Sequence, residues 1–240
     1  MKKRKFLGGL LLILLLSGLV GAGIGSKNYV NNAKFYGVEV NIEDIDKQEL
    51  ITEKQVRRAV DAFLEEQSDS IALSLNVFLL ETSIKALPYV KEAQVYWNMD
   101  SSLVVEVSSK SAIAMAYASE SNFFITSENE VLKQPKGKWL DLPIITGTAD
   151  SAKLSEAGKM LQGMSSIVSG KSIAQLALDS QTIELVPRSY QHVAKAHSGK
   201  RLEGELKKLA AYYAAHTEEE LNQIKRIDLR YKNQVVTTSK

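Results

Sequence analysis

The chain has 240 residues, 30 Lys and Arg against 28 Asp and Glu, and no cysteine. Four of the cations lie in the first 26 residues, which hold no acid; the remaining 26 against 28 exclude the concentrated basic surface that nucleic-acid phosphates need. With no disulfide and no lipidated thiol available, roughly 210 residues beyond the leader must be held by their cores alone.

Met1-Lys2-Lys3-Arg4-Lys5 precedes an uncharged apolar run from Phe6 to Ile24. Those nineteen residues would span ~28 Å as a helix, close to the ~30 Å hydrocarbon core of a bilayer. The basic flank predicts an inside N-terminus, so residues 1–5 read as a cytoplasmic tail, 6–24 as a transmembrane helix and 25–34 as a polar juxtamembrane spacer. A cleaved signal peptide is the rival reading, although its apolar stretch is usually ~7–15 residues. Ser17, Gly21 and Gly25 form a small-xxx-small face that would suit helix pairing, or reflect only the frequency of glycine in such helices.

Past the spacer, Val38, Val40 and Ile42 alternate with polar residues and predict a strand. Thr52 and Gln55 have capping-box spacing ahead of a helical stripe of Val56, Ala59, Val60, Phe63 and Leu64. Glu65–Ser70 reads as a polar loop. A second helix follows, with Leu79, Leu80, Ile84 and Leu87 inward, closed by Pro88. Val90–Trp97 and Leu103–Val107 read as strands across an Asn98–Ser101 turn. The order strand, helix, helix, strand, strand predicts a small α+β module with its last two strands as antiparallel neighbours.

Beyond Ser111 the pattern is mainly β. Phe123–Thr126, Pro143–Thr146, Ile173–Leu178 and Ile183–Val186 read as strands. One helix is predicted over Ala152–Val168, with Leu154, Leu161, Met164 and Ile167 inward. Another covers Lys200–Ala215, with Leu202, Leu206, Leu209 and Tyr213 inward and a supportive Glu203–Lys207 pair. Thr217 and Glu220 form a second capping box, opening a short turn through Leu221 and Ile224. Ile227–Tyr231 alternates as a strand, and Gln234-Val235-Val236 extends the β pattern after a Lys232-Asn233 turn.

No catalytic constellation is visible. His192, His197 and His216 lie at no metal-ligand spacing, the first two in a loop-like stretch. Glu128, Glu130 and Asp141 read as turn carboxylates rather than an acid–base pair, and Lys133, Lys136 and Lys138 as a solvated loop around Pro135 and Gly137. No cofactor, metal or small-molecule substrate is expected. The C-terminal strand stands out. It is either paired inside the fold or set at a sheet edge, where free N–H and C=O groups can accept another strand.

Several segments together resemble a known family. Leu87-Pro88-Tyr89-Val90-Lys91-Glu92-Ala93-Gln94-Val95 is similar to the helix–strand join of a polypeptide-transport-associated (POTRA) domain. Leu142-Pro143-Ile144-Ile145-Thr146-Gly147, Glu184-Leu185-Val186-Pro187, Lys207-Lys208-Leu209 and the run Ile227–Val236 resemble segments of the cell-division FtsQ/DivIB family. Ser109-Lys110-Ser111-Ala112 departs from the family's Glu-Arg-x-Pro, and Ser189-Tyr190 replaces a glycine common after Val186.

The resemblance implies an anchored α+β protein with a POTRA domain at 35–110 and an FtsQ-type β domain at 111–240. That domain would be mainly β with two or three helices. It implies a non-enzymatic divisome scaffold, retained in the cytoplasmic membrane as a single-pass type II protein and placed at the septum. Its partners would be FtsB-like and FtsL-like bitopic coiled-coil proteins, with membrane lipid around the anchor. Carried over by position, the partner-binding residues would be Arg230, Tyr231, Asn233, Gln234, Val235 and Val236. Two rivals remain at this point: a POTRA-bearing component of a secretion or envelope-assembly system, and an exported cell-wall enzyme.

Overall fold

The computed structural model describes residues 37–66, 75–117, 121–164 and 173–240. The expected tail, transmembrane helix, small-residue face and spacer lie outside these, as does Ile167. Among the described residues no helix is long and apolar enough to cross a membrane. They fall into two compact units: one holds the chain up to Glu43 and Ile51–Ser108, the other Asp44–Leu50 and Ser109–Lys240.

The first unit runs β1 (Val38–Glu43), α1 (Glu53–Glu66), α2 (Val77–Lys85), β2 (Val90–Trp97), β3 (Leu103–Ser109). Its sheet order is β1-β3-β2, with β1 parallel to β3 and Val40 opposite Val105. Thr52 caps α1: Gln55 Oε1 accepts from Thr52 N at 2.9 Å, and Thr52 Oγ1 from Gln55 N at 3.4 Å. Val56 and Val60 of α1 and Leu80 and Ile84 of α2 are buried, each pair one turn apart on one helix face. Two expectations are corrected. Glu65 and Glu66 complete α1 rather than opening a loop, and Leu79 is exposed. It stands one residue before Leu80, about 100° round the helix from the buried pair. Tyr89 turns the chain from α2 into β2 at a φ of 66°, with its ring buried.

The second unit is built on a sheet of nine described strands, ordered β12-β11-β10-β9-β8-β7-β4-β5-β6. In chain order these are β4 (Ala112–Tyr117), β5 (Asn122–Thr126), β6 (Val131–Lys133), β7 (Ile144–Thr146), β8 (Ile173–Leu178), β9 (Thr182–Pro187), β10 (Val193–His197), β11 (Ile224–Asp228) and β12 (Val236–Ser239). Helices α3 (Ser151–Met164), α4 (Leu202–Ala215) and α5 (Glu218–Asn222) complete it. Parallel pairs need crossovers. Accordingly α3 bridges parallel β7 and β8, and α4 with α5 bridges parallel β10 and β11.

Leu154, Leu161 and Met164 of α3 and Leu202, Leu206 and Leu209 of α4 join one core with inward strand residues such as Ile125, Ile145, Leu176 and Ile227. Where helices sit down the strands carry alanine: Ala114 and Ala116 on β4, Ala194 and Ala196 on β10, all buried. The Gln48 side chain pairs both ways with Ala112, donating at 2.8 Å and accepting at 2.7 Å, and so caps the start of β4.

The sequence reading omits β4, β6 and β10. It also places His192 and His197 in a loop, whereas His192 is fully buried and His197 closes β10. Ile224 opens β11 rather than ending a turn, because α5 stops at Asn222. The strand read at Ile227–Tyr231 starts three residues earlier and ends at Asp228.

Candidate functional site

The only surface that the sequence singled out for recognition lies at the β12 edge of the large sheet. β11 is a good platform. It is parallel to β10 on one side, with Ala194 opposite Ile227, and antiparallel to β12 on the other, with Asp228 opposite Val236. A register shift between Ile224 and Arg226 bulges β11, a device that bends an edge. After β11, Leu229 stays buried and donates its N–H to the Lys195 carbonyl at 2.9 Å.

The chain then leaves the sheet. Asp228 takes the Arg230 guanidinium on both carboxylate oxygens, Nε at 2.9 Å and Nη2 at 2.6 Å. That fork holds the Asp228 carboxyl below its usual range. Tyr231 stands half exposed, at 52 %. Lys232 and Asn233 make the turn, closed by a long bond of 3.5 Å from Gln234 N to the Tyr231 carbonyl. Asn233 has a φ of 56°, the left-handed conformation that the third position of a type II turn demands and that asparagine tolerates. Val235 packs against the core and Val236 starts β12.

The Lys208 ammonium on α4 reaches this connection from below. It donates to the carbonyls of Leu229, Tyr231 and Gln234, the last two at 2.8 and 3.4 Å. β12 itself, Val236–Ser239, is exposed at every residue, and no described strand pairs with its outer side. Three of its four residues, Val236, Thr237 and Thr238, are β-branched and favour extended backbone.

Arg230, Tyr231, Asn233, Gln234, Val235 and Val236 therefore form one contiguous piece of the edge. Only Val236 is in a strand; the others shape the turn that delivers it. The remaining candidates are dispersed. Glu130 is paired with Lys110, Asp141 with Arg188 at 2.6 Å, and Lys138 with Glu49 at 3.2 Å. His197 meets Glu205 at 2.8 Å, His192 the Tyr213 hydroxyl at 2.7 Å, and His216 the Tyr212 carbonyl at 2.9 Å. Among the described residues no group of three or more His, Asp or Glu could hold a metal ion.

A family model described as FtsQ/DivIB, C-terminal related, matches residues 112–238, more than half of the chain. The chain belongs to the FtsQ/DivIB family. The match begins at the first residue of β4 and ends inside β12, so the whole candidate edge down to Thr238 lies within the family region. Among solved structures, the major extracytoplasmic domain of the trans isomer of the cell division protein DivIB from Geobacillus stearothermophilus is similar. It is 16 % identical over 44 % of this chain and 89 % of that one, with a TM-score of 0.33, at which the likeness carries no argument. None of the curated proteins matches the sequence.

For this FtsQ/DivIB member the family places the function in cell division. The contacts of Lys208 are not read from the sequence. Its signals there are its place in the family-like Lys207-Lys208-Leu209 segment and its position beside Leu209 at the margin of the buried stripe of α4.

Proposed function

We propose that the chain is a non-enzymatic scaffold of the division complex, which captures a bitopic partner by strand addition to β12. The observation that carries this reading is a final strand exposed at every residue, with no described strand on its outer side, lying down to Thr238 within the region that the family model matches. Strand addition draws affinity from main-chain hydrogen bonds and specificity from neighbouring side chains. Tyr231 and Arg230 supply the residue types enriched in binding hot spots. The partners are an FtsB-like and FtsL-like coiled-coil pair.

Residues 6–24 serve as the anchor, with the N-terminus cytoplasmic and the described units outside. The β1-α1-α2-β2-β3 order and the β1-β3-β2 sheet support reading 35–110 as the POTRA domain, and 111–240 as the β domain that carries the edge. Confinement of scaffold and partners to one membrane surface raises their effective concentration, as a linker does.

Capture of a purified FtsB–FtsL pair by the full chain tests the reading. Tyr231→Ala weakens capture by about thirtyfold, the lower end of the hot-spot scale, and truncation before Gln234 abolishes it. Unchanged capture after that truncation would sink strand addition. A fluorescent fusion gathers at midcell in dividing cells; uniform peripheral staining counts against the scaffold role itself.

A further inference from the structure

The connection between β11 and β12 is weakly closed by its own backbone, since its turn bond is 3.5 Å long. The Lys208 ammonium supplies what the turn lacks. An ammonium has three donors and no acceptor, and here all three go to backbone carbonyls of one connection: Leu229, Tyr231 and Gln234. Those carbonyls lie 21, 23 and 26 residues along the chain from Lys208, so the clasp is tertiary and not part of the turn. Lys208 makes no ion pair among the described residues, so no carboxylate competes for it, whereas its neighbour Lys207 is taken by Glu203 at 2.7 Å. Bonds from a charged donor are stronger than neutral ones. A compact ammonium can meet three carbonyls that converge from different directions, which a planar guanidinium fork cannot.

We infer that Lys208 is the positioning residue of the docking edge: its ammonium fixes the path of residues 229–234 and thereby the presentation of Tyr231 and the start of β12. The inference rests on the strand-addition reading. The clasp acts before the partner arrives. Without it the connection samples other paths, and the apparent affinity falls by the fraction of time spent in the competent one.

The test uses the full-length chain purified in detergent, with Lys208→Met and Lys208→Cys. The chain has no other thiol, so 2-bromoethylamine converts Lys208→Cys alone into a near-isostere of lysine and returns the ammonium. Amide hydrogen exchange is read over residues 229–236, and association and dissociation rates are measured with the soluble FtsB–FtsL pair. In Lys208→Met, exchange over 229–236 and the association rate each change by about tenfold, while exchange in β9 and the dissociation rate hold within about twofold. Aminoethylation restores both in the cysteine variant.

Unchanged exchange in Lys208→Met overturns the inference. So does a raised dissociation rate with unchanged exchange, which would make Lys208 a direct contact, and so does faster exchange with unaltered association. If Lys208→Met fails to fold, the cysteine variant with and without aminoethylation decides alone. If the unaltered chain captures nothing, the strand-addition reading falls, while the exchange arm still reports whether Lys208 orders the connection.

Discussion

His192 is fully buried one residue before β10, its ring stacked on Tyr190 at 5.4 Å and its Nε2 on the Tyr213 hydroxyl. Burial favours the neutral imidazole and holds its pKa below the ordinary value; the Leu221 carbonyl opposes this and the nearby Lys240 reinforces it. Tyr213, its own pKa pushed up by burial, stays a neutral phenol beside it. The sign of the pH effect follows. Above ~6.5 the imidazole is neutral both folded and unfolded and contributes nothing. Below that, the unfolded chain binds a proton that the folded chain resists, so stability falls with pH until the folded value is passed. Urea midpoints should therefore be flat from pH 8 to 7 and drop below ~6.5, with that part of the drop absent in His192→Phe. An equal slope in the variant would assign the loss to other groups. Asp228 acts in a separate window: its lowered pKa gives stability that is lost only as pH falls below the ordinary carboxylate range.

At the scale of elements, the join between β7 and α3 turns on Gly147. Its φ is +95°, and a Cβ there would stand 2.0 Å from the Leu178 carbonyl oxygen of β8, the strand that pairs in parallel with β7. Neither the backbone angle nor β8 can yield. Gly147→Ala should cost about 3 kcal/mol or more, enough to prevent folding in a marginal domain, whereas Gly204→Ala, in open space on α4, should gain about 0.5–1 kcal/mol from helix propensity. Thermal midpoints of the two variants check this, and a Gly147→Ala protein as stable as the parent would refute it. The same Pro143–Gly147 segment was visible in the sequence as a family resemblance, but the close approach behind it was not.

Other elements were hidden for a physical reason. β4 reads Ala-Ile-Ala-Met-Ala-Tyr and β10 Val-Ala-Lys-Ala-His, so their inward positions carry alanine, which is small, only weakly apolar and not β-prone. Alanine stands there because α3 and α4 press on those strands, which is a fact of tertiary packing. The strands rich in Val, Ile and Leu, β1, β3 and β8, and β2 with its valines and aromatic end, were legible from alternation and composition.

For the whole molecule, order along the chain was more legible than order in the sheet. The order of the strand–helix–helix–strand–strand module could be read from the sequence, because its stripes and caps are local, although the end of α1 and the exposed Leu79 could not. That β12 ends the sheet could not, since it depends on two crossovers. The leader carries the remaining prediction: after a carbonate wash the full chain should stay with the membrane fraction, because a nineteen-residue apolar run matches the bilayer core. Release of the full-length chain into the wash would refute the anchor.

The parallel pairing of β10 with β11 has a consequence in time. These strands meet only after the chain has run out through α4 and α5 and come back, so their contact carries the entropic cost of closing a long loop. Among the described strands β12 pairs with β11 alone, and Lys208 can grip the connection only when α4 is seated. The β12 edge is thus expected to be among the last parts of the unit to form in folding. Under the proposed strand addition, a partner would meet its edge only on molecules whose crossover has closed, and chains still folding would offer it nothing to bind.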